Sequence, residues 1–390
     1  MPGGERRTGA LSGAAFAGMF VFGIVMALVG AVLPSLEKVA YGTADIGRLF
    51  LAMNAAMLAT SLVVGLAMDR FGMKPPLALG PLLVAGAVVM VRQAAAFHDL
   101  LPAMVLLGIG GGALNGATNT LVADLHDDAE RKNAALNRLG VFFGFGALFL
   151  PFALGRMAAG PALAATALLS AGAGGFAAVL HFPAPKQRNA LPMAEIPGFL
   201  RSPLVLALAA LLFCESGAEF TLGGYISTYL TRGLGVRSVG AASWILAGFW
   251  TGIMVARVVA GRIGTGRDLF RTLTLCGTGA CCGSLLTAAA PGPAAAAVGV
   301  AICGASLAGV YPATLAIAGA RFQSHSGTVF GILFAVALAG GMLVPWVAGQ
   351  VGGAAGLRWV FGIVAAAFAS IAALSRLAAR VDRARGAAAA

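Results

Sequence analysis

The chain has 390 residues, of which 59% are hydrophobic and only 10% charged, and it carries a formal net charge of +12. A soluble domain keeps about a quarter of its residues charged. With a mean hydropathy of +0.91, this chain cannot clothe a water-facing surface and must present most of its surface to lipid. That excludes a soluble catalytic domain. The basic excess stands in the short breaks between apolar runs, so it is read as orienting a membrane protein and not as binding nucleic acid.

A transmembrane helix needs roughly 20 mostly apolar residues. Twelve such runs follow in order, at 11–36, 46–68, 76–96, 101–123, 133–154, 160–182, 203–230, 240–262, 271–290, 294–318, 327–350 and 357–378. The first, behind Arg6 and Arg7, is too long for a signal-peptide core and is followed by further spans, so it is read as a helix. Runs nine and ten are parted only by Pro291-Gly292-Pro293, a tight turn. The longest polar stretch, 183–202, contains Pro183, Pro185, Lys186, Arg188, Asn189, Pro192, Pro197 and Arg201. It reads as a cytoplasmic linker joining a six-helix bundle at 1–182 to a second at 203–390. The expected class is an all-α membrane protein with twelve transmembrane helices in two pseudo-symmetric six-helix bundles.

With the N-terminus inside, seventeen Lys and Arg fall on the inner side, among them Arg70, Lys74, Arg131, Lys132, Lys186, Arg188, Arg267 and Arg271. Six fall outside: Lys38, Arg48, Arg156, Arg232, Arg237 and Arg358. The bias places both termini in the cytoplasm of a cell whose inner (plasma) membrane holds the chain. Arg92, Arg138 and Arg257 stand near helix ends, where they can snorkel to the interface. The five cysteines all lie in apolar runs of the second half and read as small buried hydrophobes with no metal-ligand spacing.

The halves repeat. The pattern G-x-x-x-x-P-x-x-x-G occurs at Gly146, Pro151 and Gly155 and again at Gly340, Pro345 and Gly349, at an offset of 194. Gly23 and Gly30 match Gly217 and Gly224 at the same offset. Runs five and eleven are therefore equivalent, and the chain is a parallel duplication. Repeats of this kind hold their substrate at the interface of the halves near the bilayer midplane.

Between runs two and three stands Gly65-Leu-Ala-Met-Asp69-Arg70-Phe-Gly72-Met73-Lys74. Gly65 would let two helices approach closely and Gly72 would allow a sharp turn. Asp69 could accept from a neighbouring helix N-terminus, and Arg70 could pair with an acid. This loop resembles the signature loop of the major facilitator superfamily, with Met73 where a basic residue is usual. The resemblance implies the major facilitator fold and a cytoplasmic gate at Gly65, Asp69, Arg70 and Gly72 that latches the two halves. A narrower resemblance, to the fucose permease group of sugar–proton symporters, rests on Gly108 to Asn119, on Asn133-Ala-Ala-Leu-Asn137, on the Gly146/Pro151 motif, and on Gly217-Ala218-Glu219 with Tyr225 and Tyr229. The acids that group carries in runs one and four align here with Gly30 and Asn115, so its usual proton route is missing.

Glu215 and Glu219 are the only acids in the middle of any run. An ionised group there costs at least about 2.5–3.5 kcal/mol, so each needs a cavity, a partner or a proton. They stand i,i+4 on one face and are the candidate proton-coupling residues; the alternative for Glu215 is a structural pair with a neighbour such as Asn137. Asn115 and Asn119 also share a face and can hydrogen-bond sugar hydroxyls as donor and acceptor, or else bond helix to helix. Asn54 reads as a helix-to-helix bond. Tyr225, Tyr229, Trp250, Tyr311 and Trp346 could stack on a sugar face. Tyr311, before Pro312, is the preferred one, because the resemblance implies a cavity lined by helices 1, 4, 7 and 10.

Asn115, Asn119, Asn137, Glu219 and Tyr311 are thus the candidate solute-binding set. The expected function is alternating-access transport of a monosaccharide or similar hydroxylated solute, with a proton as candidate co-substrate. The alternative in the same fold is efflux of amphipathic drugs or metabolites. A membrane-embedded enzyme would need a clustered acid, histidine or metal set, whereas His98, His126, His181 and His325 are scattered at run ends. A channel would need a filter segment. The expectation is a monomer in the bilayer, without cofactor or metal, that binds a small solute and no nucleic acid.

Overall fold

The computed structural model describes residues 2–126, 129–183, 196–263 and 268–389. Lys186, Arg188, Arg267 and most of the expected linker lie outside the described residues. Among those described, twelve helices are long and apolar enough to cross a membrane. The first six are α1 (Pro2–Val32), α2 (Thr43–Phe71), α3 (Lys74–Gln93), α4 (Phe97–Asp124), α5 (Ala129–Arg156) and α6 (Ala159–Val179). A short α7 (Ile196–Leu200) precedes α8 (Pro203–Thr228), α9 (Val239–Ile263) and α10 (Leu269–Ala288). The tenth span is broken into α11 (Pro293–Leu307) and α12 (Val310–Arg321), and α13 (Ser326–Ala355) and α14 (Arg358–Ala389) complete the set.

The break at Ala308–Gly309 departs from the continuous run read from the sequence. Pro312 explains it: proline has no N–H for the carbonyl four residues back, here Ala308, and its ring crowds that carbonyl. Tyr311 therefore sits on the first turn after a discontinuity. At its C-terminal end α8 continues into one π-helical turn, Tyr229–Gly233.

Two compact units are present. Among the described residues, one comprises 2–41, 52–183 and 238–247, and the other 42–51, 196–237 and 248–389. Within the first, α1 packs chiefly on α5, and α3 on α4 and α6. Within the second, α8 packs chiefly on α13, and α10 on α11 and α14. The pairing repeats because the glycines repeat. A Cβ at Gly146 would meet the Phe20 carbonyl of α1, and one at Gly340 would meet the Phe213 carbonyl of α8. The opposing glycines do the same: Gly23 faces the Phe143 carbonyl, and a Cβ at Gly217 would lie 3.0 Å from the Gly340 carbonyl. A second crossing recurs too, with Gly108 against the Met53 carbonyl and Gly304 against the Phe249 carbonyl. Membrane helices gain little from burying apolar surface, so backbone-to-backbone contact of this kind holds them together.

The last glycine of each motif receives a further element. A Cβ at Gly155 would stand 2.8 Å from the Trp244 indole, and that ring also lies 5.1 Å from the Phe152 ring. A Cβ at Gly349 would stand 2.5 Å from the Tyr225 hydroxyl and 3.1 Å from the Thr43 carbonyl, so only glycine leaves room for them.

Candidate functional site

In the second unit, α8 and the part of α9 from Gly248 onward meet where a Cβ at Gly223 would lie 3.6 Å from the Trp250 ring. Two turns before Gly223 stands Glu215, and two turns beyond Trp250 stands Arg257. Glu215 is 1% exposed and Glu219 9%. The two acids stand one helical turn apart on the same face, and the Arg257 guanidinium acts electrostatically on both. Tyr311 of α12 lies within electrostatic reach of all three and stacks on Phe334 at 6.0 Å. Two buried polar atoms of this group, Glu215 Oε2 and Arg257 Nε, have no hydrogen-bond partner among the described residues. Most buried polar atoms in proteins are satisfied, so such orphans mark a place for water or a ligand.

Glu215, Glu219 and Tyr311 are thus brought together, and Arg257 joins them. Arg257, read from the sequence as a snorkelling anchor, lies within electrostatic reach of both acids.

In the first unit, Asn115 is half-buried and Asn119 exposed. Asn119 Nδ2 donates to the Asn115 carbonyl at 2.8 Å. Gly111, one turn before Asn115, faces Val25 of α1 and Met57 of α2, while Gly112 faces the Met57 carbonyl. Asn137 is exposed on α5.

Three other expectations are corrected. Tyr225 and Tyr229 are wholly buried, and their hydroxyls donate to the carbonyls of Pro345 at 2.9 Å and Thr287 at 3.1 Å. Both phenols are committed to helix packing, which removes them as faces for a sugar. Gly65 has open space where a Cβ would be. The close approach of α2 is made from the α4 side, where Gly108, Gly112 and Gly116 meet Met53, Met57 and Val64. In the same loop, Gly72 takes a φ of 80°, the turn its identity suggested. Arg70 lies over the Phe71 ring at 5.2 Å, and among the described residues no acid pairs with it and no helix N-terminus donates to Asp69.

The profile of the Major Facilitator Superfamily matches residues 15–292. The chain belongs to that superfamily. Among curated proteins it is 25% identical over 277 residues to Bypass of stop codon protein 6 of Saccharomyces cerevisiae, a match covering 62% of this chain and 54% of the yeast protein. The matched part thus spans about half of that relative. Among solved structures, the nucleoside transporter NupG superposes with a TM-score of 0.75 at 14% identity, covering 96% of this chain and 98% of that one. A bacterial homolog of the human lysosomal transporter Spinster gives 0.74 at 16%, covering 96% of each. FucP, in the outward conformation, gives 0.63 at 19%, covering 94% and 98%; a variant of this E. coli fucose:proton symporter matches equally. At these identities the likeness shows the fold, a multi-pass membrane transporter fold, and leaves the solute to chemistry.

Proposed function

We propose that this superfamily member is a secondary transporter of a small hydroxylated solute such as a monosaccharide, coupled to a proton through Glu219 and Glu215. The observation that carries the reading is the pair of carboxyls one helical turn apart, both buried in the middle of an apolar span, with Tyr311 within electrostatic reach. An ionised carboxyl at mid-span costs at least about 2.5–3.5 kcal/mol, which favours holding a proton. The pair is therefore suited to gaining and losing one, and Glu219 is the coupling residue. Tyr311 contributes a ring and a hydroxyl next to a helix break, a recurrent feature of transporter binding sites. Asn115, Asn119 and Asn137 are proposed as further solute ligands by their amides. The protein is placed in the cell inner membrane with both termini cytoplasmic, following the basic-residue bias. The bundles 1–182 and 203–390 are proposed as the two moving halves.

A thermal-shift screen of the purified protein against monosaccharides, nucleosides, amino acids and amphipathic drugs tests the solute class. A ligand at 100 times its dissociation constant adds about 2.7 kcal/mol. Stabilisation by amphipathic drugs alone would replace the sugar reading with efflux. The Asp69 loop is proposed as the cytoplasmic gate. Asp69→Asn is expected to slow transport several-fold while the protein still inserts and stays monodisperse; an unchanged rate in proteoliposomes would reduce the loop to an anchor.

A further inference from the structure

We infer that the second unit carries a site for one anionic phospholipid at the end where α10 begins and α12 finishes, with the lipid phosphate on Arg383 and Arg321. The site stands apart from Glu215 and Glu219, which lie in mid-span, and does not depend on the solute. A cavity of about 500 Å³ lies there, walled by the first turn of α10, the last turns of α12 and the C-terminal part of α14. Ligand pockets run from about 300 to about 1,000 Å³.

Two acids and two arginines border the cavity, and the acids are already engaged. Asp382 is 8% exposed, and Arg321 Nη2 donates to its Oδ2 at 2.7 Å, joining α12 to α14. The Asp268 carboxylate accepts from the Phe270 and Arg271 backbone N–H groups at 3.0 and 3.3 Å, as the N-cap of α10. The arginines keep donors to offer. Arg321 has a side chain 54% exposed. Arg383 commits only Nε, to the Ala379 carbonyl at 3.2 Å, and among the described residues no acid pairs with it. A guanidinium with both terminal nitrogens open presents a fork that matches phosphate oxygens. Arg376, Ala379, Arg380 and Arg383 follow at spacings of three and four on one helix face, and the arginines among them are exposed. That stripe brings a positive field to the rim of the cavity.

A free phosphate would leave the rest of the cavity unused, because Leu269, Phe270 and Ile317 give it an apolar wall. The glycerol and upper acyl carbons of a lipid cover that wall. On α10, Leu275 is 63% exposed one turn beyond Arg271, and on α14 Leu377 is 50% exposed next to Arg376. In a chain that crosses a bilayer, exposed leucines lie against acyl chains, and arginines at the ends of the spans reach headgroup level. The cavity sits at that boundary, where basic pockets between spanning helices take anionic headgroups.

Titration of the purified protein in neutral detergent with phosphatidylglycerol, read by native mass spectrometry and by survival on heating, tests this. The wild type should retain one lipid and resist heat better with it, whereas phosphatidylcholine and inorganic phosphate at equal concentration should do neither. Arg383→Gln should weaken retention of phosphatidylglycerol about tenfold or more, the scale of one lost charge-assisted hydrogen bond. Lys74→Ala, which removes an exposed cation from the first unit, should leave retention unchanged. Should Arg383→Gln fail to fold, Ala320→Leu serves instead, because it narrows the cavity without altering its charge and should also lose the lipid. Equal retention of phosphatidylcholine would show that the headgroup charge is not read. Stabilisation by inorganic phosphate alone would make this a free-anion site, and equal losses in Lys74→Ala and Arg383→Gln would leave only diffuse attraction to anionic lipid. Each of these, or undiminished retention in Arg383→Gln or Ala320→Leu, overturns the inference.

Discussion

Glu219→Gln will still equilibrate solute across a proteoliposome membrane but will no longer accumulate it. A gradient of one pH unit is worth about 1.4 kcal/mol per proton, a tenfold concentration ratio. A carrier that moves one proton with each solute can therefore sustain about tenfold accumulation at that gradient, and a carrier that moves none sustains a ratio of one. The glutamine keeps the size and hydrogen-bonding capacity of the acid, so the packing of α8 survives while the transferable proton does not. Counterflow, in which labelled solute exchanges for unlabelled, should thus continue at a rate within a few-fold of wild type. Losing counterflow along with accumulation would place Glu219 in solute binding and not in coupling. A wild-type protein that equilibrates solute yet ignores the pH gradient would make the carrier a facilitator and leave the buried pair a structural feature.

The sequence makes the twelve spans legible because each apolar run is far longer than a soluble strand or helix requires, with Pro, Gly or charge between runs. The duplication is legible because glycine and proline carry it, residues that constrain backbone approach directly. Arg257 was not. A lone arginine a few residues from the end of a run has the pattern of an interface anchor, and composition does not say which way it faces. Tyr225 and Tyr229 misled for the converse reason. Aromatic residues in a helix suited to line a cavity look available, but their hydroxyl partners lie on α13 and α10, more than fifty residues away. The break in the tenth span was written in Pro312, a proline inside a run otherwise continuous.

Gly340→Val is expected to remove most of the folded protein, and its repeat-mate Gly146→Val to do the same. The Cβ position at Gly340 is occupied by the backbone of Phe213, carbonyl and Cα alike, and at Gly146 by the Phe20 carbonyl. A flexible side chain could swing aside, whereas a helix backbone moves only as a unit, so α13 would have to part from α8 along their whole crossing. Overpacking usually costs about 1–3 kcal/mol, occasionally more. A β-branched residue locked at χ1 against backbone belongs at the upper end. The separation would also pull the Pro345 carbonyl away from the Tyr225 hydroxyl, which bonds it from the same pair of helices. Gly175→Ala is the control: nothing lies within 4 Å of its Cβ position, and alanine is preferred to glycine inside a helix by about 0.5–1 kcal/mol. The measurement is the fraction of monodisperse protein left on size-exclusion chromatography after graded heating. The control should match or slightly exceed the parent, with both valine variants melting well below them. A Gly340→Val protein as heat-resistant as its parent would mean that the α8–α13 crossing is loose, and with it the rigid platform on which Glu215, Glu219 and Tyr225 are held.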